Sequence, residues 1–301
     1  MKDKRSLGQR AYPYILVAPT LIVIGAILLY PMFKGLVMSS QNYVLTRPVP
    51  ADERFVGFGN YIAMFQDPVF WISLKKTFWW VVISVSFQLL LGLGTALLLN
   101  EKFRLRALAR GLILIPWVMP SVVSGLMWAW IFDGTFGLMN DVLTKLGIIT
   151  QNIAWLGNSK TAFPVVIMTN IWKGFPFFAI SILAGLQSIP KDLYEASEID
   201  GAGVWRRFLT VTLPHLKPVI ITTTVLRLIW TANTTDLIFT MTSGGPGYST
   251  HVLALYTYLK AWSELDFGYS STMAIFLMLL LLIFIGIYMR LINKDKESDI
   301  I

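Results

Sequence analysis

The run TFWWVVISVSFQLLLGLGTALLL, residues 77–99, contains no Asp, Glu, Lys or Arg. About 20 mostly apolar residues carry an α-helix across the hydrocarbon core of a bilayer, so this stretch reads as a membrane span. Working outward from it, five further apolar runs of spanning length lie at 13–33, 111–132, 161–186, 218–240 and 269–289. The first follows Lys2, Lys4, Arg5 and Arg10, as a secretory signal would. Its apolar stretch from Tyr14 to Tyr30 exceeds the ~7–15 residues of a signal core, and bulky Tyr30-Pro31-Met32-Phe33 stands where a cleavage site would need small residues. It is expected to be a retained span. Pro116, Pro120 and Pro176 fall inside the third and fourth runs, where neighbouring helices can shelter the freed backbone groups. The expected fold is an all-α, polytopic transmembrane bundle of six spans.

Composition agrees. Hydrophobic residues make up 55% of the 301-residue chain and charged residues 14%, against about 25% charged in soluble domains. A soluble globular fold is thereby excluded. The chain has no Cys, which rules out disulfides, thiolate metal sites and a Cys nucleophile. His215 and His251 are too few for a His-based metal cluster. The net charge of +8 sits in short clusters between apolar runs, the distribution of an oriented membrane protein and not of a nucleic-acid binder. With the N-terminus inside, the inside segments hold fifteen Lys and Arg and the outside segments eight. The positive-inside rule then places both termini in the cytoplasm. This gives a cytoplasmic segment 1–12, a six-span domain 13–289 and a cytoplasmic tail 290–301. Leu156–Thr161 lacks the frame of a phosphate loop, and no H-E-x-x-H or G-x-S-x-G motif occurs. No catalytic residue, metal ligand or cofactor is therefore assigned to this chain.

The longest inside segment, 187–217, is no simple connector. Pro190 opens a helix with Asp192 and Glu195 in its first turns, where the helix dipole favours carboxylates. Gly201 and Gly203 supply a stop or bend. A second short helix carries Val204, Trp205, Phe208 and Leu209 on one side and Arg206, Arg207 and Thr210 on the other, with Pro214 and Pro218 expected to end it. On pattern alone such an amphipathic pair reads as an interfacial anchor, its aromatic face resting on lipid headgroups.

Two polar stripes cross the fourth and fifth spans. Asn170, Lys173, Gly174 and Phe177 are spaced i, i+3, i+4, i+7 and share one helix face. Thr223, Arg227, Thr231 and Thr234 form the second stripe, with Trp230 beside it. Lys173 and Arg227 fall near mid-membrane depth, where an uncompensated charge costs ~2.5–3.5 kcal/mol on the mildest scale. These faces meet protein or a wet cavity. Two readings stay open for the cations: solute recognition, or pairing with carboxylates such as Asp236 that locks helices together.

The residues Glu195-Ala196-Ser197-x-x-x-Gly201, followed by Val211-x-Leu213-Pro214, resemble the cytoplasmic "EAA" loop of ABC importer permeases. Ser197 stands for the family's second Ala and Val211 for its usual Ile. The loop lies between the fourth and fifth of six spans, as in that family. Asn170–Phe177, Thr242-Ser243-Gly244-Gly245-Pro246 with Tyr256 and Tyr258, and Val56-Gly57-Phe58-Gly59-Asn60-Tyr61 are similar to carbohydrate permeases of the maltose-transporter type. The similarity runs from about residue 56 to the C-terminus and fits the short six-span members, such as those for oligosaccharides or glycerol phosphate. It implies an ATPase-coupling role for Glu195, Ala196, Ser197, Asp200, Gly201, Leu213 and Pro214. It also implies substrate contacts from Asn170, Lys173, Gly174, Phe177, Arg227, Trp230, Thr231 and Thr234. The chain departs from the maltose protein at Lys173, Thr231 and Thr234.

The resemblance further implies a bacterial or archaeal cytoplasmic-membrane subunit of a carbohydrate importer working by alternating access. Its partners would be a second homologous permease, two cytoplasmic ABC ATPases that hold ATP and Mg, an extracytoplasmic solute-binding protein, the carbohydrate and membrane lipid, with no nucleic acid. The alternatives are an importer of a sugar phosphate or anionic sugar, a self-sufficient ion-coupled transporter, and a membrane-embedded enzyme acting on lipid-linked sugars. The last would need a convergent acid–base set, and none is seen in the sequence.

Overall fold

The computed structural model describes residues 7–298; residues 1–6 of the N-terminal segment and 299–301 of the tail lie outside it. Among the described residues the chain is helical, with only isolated bridges pairing Gln41 with Phe55 and Val44 with Asp266. Among the described residues, five helices are long and apolar enough to cross a membrane: Leu16–Met38, Pro68–Asn100, Ala162–Gln187, Val204–Ala232 and Phe267–Arg290. A sixth span is a broken one. The helices α5 (Arg106–Val118) and α6 (Ser121–Ile131) meet at 94°.

That break corrects the continuous third span expected over 111–132. Pro120 has no N–H, and its ring pushes the preceding residue out of the helical region. Met119 accordingly has φ −61° and ψ 136°. Pro116 and Pro176, by contrast, stay inside their helices.

Pro214 and Pro218 do not end a helix either. From α10 (Val204–Arg207) the chain passes through a π turn, Phe208–Thr212, into α11 (Leu213–Ala232). The Leu213 N–H reaches back five residues to the Phe208 carbonyl. This wider turn gives the Pro214 ring room that an ordinary turn denies it. The same device joins α1 (Leu7–Ile24) to α2 (Tyr30–Met38): a π turn at Gly25–Leu29 precedes Pro31, and the Tyr30 N–H donates to the Gly25 carbonyl. The fifth span therefore starts earlier than expected and stops at Ala232, before the short α12 (Asp236–Thr242).

The chain divides into two compact units, residues up to 67 with 257–282, and residues 68–256 with 283 onward. In the first, Gly268 permits a close backbone approach, because a Cβ there would overlap the Gln41 carbonyl. Asn60 Nδ2 donates to the carbonyls of Ser39 and Gln41 at 3.1 and 2.8 Å, and Thr272 Oγ1 donates to Ser39 O at 3.0 Å.

In the second unit α4 (Pro68–Asn100) lies along α8 (Ala162–Gln187), and α11 packs on both. Lipid removes the usual apolar drive for helix association, so close van der Waals packing at small residues takes over. Gly92 supplies it. A Cβ there would overlap the Phe178 side chain and come within 3.0 Å of the Ala179 backbone nitrogen. Phe178, Ile182, Leu186, Leu216 and Val85 form the core around this contact.

Candidate functional site

A cavity of about 260 Å³ opens within the second unit, lined by Trp117, Ser121, Asn170, Lys173, Arg227, Trp230, Thr234 and Leu237. Helical spacing brings Asn170 and Lys173 to it from α8, and Arg227 and Trp230 from α11. Thr234 reaches it from beyond the end of α11, where Thr234 Oγ1 donates to the Trp230 carbonyl at 2.9 Å. The two polar stripes of the sequence thus meet at one place.

Neither cation is held by a carboxylate among the described residues. Arg227 is 8% exposed, and its Nε donates to Gln88 Oε1 at 2.8 Å. Gln88 Nε2 in turn donates to the Asn170 carbonyl at 2.9 Å. One fully buried amide on α4 therefore ties together the residues that α8 and α11 bring to the cavity. Lys173 Nζ donates to the Met119 carbonyl, which the break at Pro120 leaves without a helical partner. Met119 is the C-terminal end of α5, where the helix dipole welcomes a cation. Asp236 is exposed at the start of α12 and its charge is felt at Lys173, as is that of Arg227, but no ion pair forms. The carboxylate pairing left open by the sequence is replaced by a carbonyl and an amide.

Three expected substrate contacts sit differently from the stripe picture. Gly174 is not among the residues that line the cavity; a Cβ there would collide with Arg227 Nη2 and the Gln88 amide. Thr231 is 1% exposed and packed inward, with its carbonyl accepting the indole N–H of fully buried Trp80 at 2.9 Å. Phe177 stands behind the cavity in an aromatic row, its ring centroid 5.0 Å from Trp230 and 5.9 Å from Trp117. Gln88, Trp117, Ser121 and Leu237 were not anticipated. Only Gln88 left a sequence signal, as the lone amide in the 77–99 run.

The loop 187–217 forms a second, separate arrangement. Helix α9 (Lys191–Ile199) begins after Pro190 and has Asp192 in its first turn. It ends on Gly201 at φ +74°, with Gly201 N–H bonded to Glu198 O at 3.0 Å and Ala202 N–H to Ser197 O at 2.9 Å. This is the 5→2 and 6→1 pair of a Schellman stop. Glu198 pairs with Arg207, and the Tyr194 hydroxyl meets Thr212 Oγ1 at 3.0 Å. Val211 and Leu216 are buried beneath. Glu195, Ala196, Asp200, Gly201 and Pro214 are exposed, while Ser197 and Leu213 are half-buried. Ile199, Val204 and Trp205 add an uncovered apolar surface, 87%, 74% and 75% exposed.

A Cβ at Gly201 would meet nothing within 4 Å, so the demand for glycine there is conformational. Gly201→Val is expected to cost about 1–2 kcal/mol through the left-handed backbone alone. Hydrogen exchange at the amides of residues 201 and 202 should quicken while that of α8 stays unchanged. Unchanged exchange at both amides would show that the stop does not depend on glycine.

Comparison with known proteins places this architecture. The chain is 42% identical over 290 residues to the sulfoquinovosyl glycerol transport system permease protein SmoG of Agrobacterium fabrum, covering 96% of this chain and 93% of that one. It is 36% identical over 277 residues to the trehalose/maltose transport system permease protein MalF of Thermococcus litoralis, covering 92% of each. Its fold is similar to a chain of a bacterial ABC transporter involved in the import of the acidic polysaccharide alginate, with TM-score 0.81 and 23% identity over 95% of this chain and 97% of that one. With its spans, its broken helix and a match over residues 88–298, the chain belongs to the family of binding-protein-dependent transport system inner membrane components.

Proposed function

We propose that this chain is the permease subunit of an ATP-driven importer for a carbohydrate, and that the cavity between α8 and α11 lies on the solute path. The observation that carries the reading is the cavity lining. Trp230 and Trp117 offer apolar ring faces of the kind that stack on a sugar, while Asn170, Ser121 and Thr234 offer groups that hydrogen-bond hydroxyls. The relatives support it, since the two named above are sugar-transport permeases and a solved neighbour is an alginate transporter in complex with an alginate pentasaccharide-bound periplasmic protein.

On this reading the subunit works with a second permease, two cytoplasmic ATPases that hold ATP and Mg, and a solute-binding protein on the opposite side. Both termini and the loop 187–217 face the cytoplasm. ATP hydrolysis belongs to the partner chains; this chain's part is to seat α9 in the ATPase and convert its closure into movement of α8 and α11. The Glu198–Arg207 pair and the Tyr194–Thr212 contact join α9 to the base of the fifth span, so a push on the exposed loop is delivered to α11 with little slack.

Glu195 is exposed and makes no contact that folding requires. Glu195→Lys is therefore expected to leave complex yield unchanged. It should abolish the stimulation of ATPase activity by loaded binding protein and cut uptake in proteoliposomes at least tenfold, about 1.4 kcal/mol or more in the coupling step. Normal uptake together with normal stimulated ATPase activity would remove the coupling role from this loop.

A further inference from the structure

The lining of the cavity is unbalanced in charge, and its charged groups only donate. Lys173 and Arg227 carry eight N–H donors between them, three on the ammonium and five on the guanidinium, no acceptor, and full positive charge; Lys173 spends one proton on the Met119 carbonyl and Arg227 one on Gln88. The Asn170 amide nitrogen is buried, belongs to the same lining, and has no hydrogen-bond partner. Ser121, the first residue of α6, brings the positive end of that helix to the same wall. Opposed to this among the described residues stands Asp236, which is exposed and does not line the cavity. The local charge from Lys173, Arg227 and Asp236 remains +1.

Neutral sugar hydroxyls each donate as well as accept, and are best met by mixed groups. Beside the mixed hydroxyls of Ser121 and Thr234, two cations and an open amide N–H with surplus positive charge match a group that only accepts. At about 260 Å³ the space is smaller than the ~300–1,000 Å³ of pockets for drug-sized ligands, which suits a single sugar ring with one substituent. Helix locking does not account for the arrangement. A locking pair would be neutral and closed, whereas here one cation is tied to a carbonyl and the other to an amide, and both still border open space.

Resting on the carbohydrate reading, we infer that the solute is an anionic carbohydrate whose sulfonate, sulfate or carboxylate oxygens are received between Lys173, Arg227 and the Asn170 amide. Arg227 is the fixed element, since Gln88 holds its Nε and directs the rest of its planar fork. Lys173 is the adaptable one, a point charge on a flexible stem. Trp230 and Trp117 then bound the ring that carries the anion.

The test uses the whole transporter with its cognate binding protein in proteoliposomes, and compares initial uptake of sulfoquinovosyl glycerol and an alginate disaccharide with that of maltose and trehalose. At least one anionic probe is expected to enter ten times faster than either neutral sugar. Lys173→Met should lower that anionic rate at least tenfold with complex yield preserved, and Lys173→Arg should restore a substantial part of it. Arg227→Lys, which keeps the charge but loses the directed fork, should raise KM for the anionic probe more than it lowers kcat. Faster uptake of a neutral sugar, or a Lys173→Met complex of normal yield with unchanged anionic uptake, overturns the anionic assignment and leaves the carbohydrate permease standing. Loss of yield in Lys173→Met that Lys173→Arg does not rescue assigns Lys173 to helix locking and likewise overturns it. If no sugar enters while a non-sugar captured by the binding protein does, the carbohydrate reading itself falls.

Discussion

Gly174→Leu is expected to destroy the assembled complex, not merely to obstruct it. A Cβ at this position already overlaps Arg227 Nη2 and the Gln88 amide, and Leu adds three more carbons in the same direction. Overpacking of a close helix contact costs about 1–3 kcal/mol. Displacing Gln88 from Arg227 strands a guanidinium that is 8% exposed, and breaking a buried charge from its partner costs roughly 3–5 kcal/mol. The two together, about 4–8 kcal/mol, take most of the stability of a marginal subunit, for which ~5–15 kcal/mol is ordinary. Size-exclusion chromatography of the solubilised transporter should show at least a tenfold loss of the intact complex, with Gly174→Ala losing less because one methyl displaces only the flexible side-chain ends. A Gly174→Leu complex of full yield and unchanged thermal midpoint, yet unable to transport, would mean that the side chain turns into the cavity. Gly174 would then be a wall of the path and not the seat of the Gln88–Arg227 contact.

That case shows where reading the sequence stops. The stripe Asn170–Lys173–Gly174–Phe177 correctly gathers residues on one helix face, because the 3.6-residue period needs no tertiary information. Which of them meets open space depends on what stands opposite. Gln88 stands opposite Gly174, eighty-odd residues away in the chain, and spacing along one helix carries no trace of it. The stripe through Thr223, Arg227, Thr231 and Thr234 fails in part for another reason. The helix stops at Ala232, so Thr234 reaches the cavity from a turn, and Thr231 is buried, with its backbone carbonyl accepting from Trp80.

Proline was the least legible signal. Pro116 and Pro120 are four apart, as are Pro214 and Pro218, and the two pairs behave in opposite ways. At the first, Met119 is thrown into an extended conformation and the span breaks. At the second, a π turn absorbs the ring and the helix continues. The difference lies in what satisfies the freed groups: Lys173 takes the Met119 carbonyl from another helix, while the π turn repairs itself locally. Only the latter is encoded nearby. The spans themselves, by contrast, were plain, because the bilayer imposes a length and a composition that the chain must print in sequence.

Gln88→Leu is expected to be nearly as damaging as Gly174→Leu although it leaves the packing volume almost intact. Leu fills much of the space but neither accepts from Arg227 nor donates to the Asn170 carbonyl, so both bonds at 2.8 and 2.9 Å are lost. A hydrogen bond to a charged group contributes about 1.5–3 kcal/mol and a neutral one about 1 kcal/mol. A guanidinium left buried without its acceptor raises the toll toward 3–5 kcal/mol. The thermal midpoint of the solubilised complex should fall and its yield should drop severalfold. Gln88→Glu separates the two bonds, since a carboxylate keeps and strengthens the contact with Arg227 while losing the donor to Asn170. It is expected to recover yield relative to Leu. It also places a negative charge against Arg227, so it should depress entry of an anionic sugar even where the complex is well assembled. Equal yields for wild type, Gln88→Leu and Gln88→Glu would mean that water satisfies Arg227 from the cavity side, and that the amide on α4 is not what joins the three helices around the solute path.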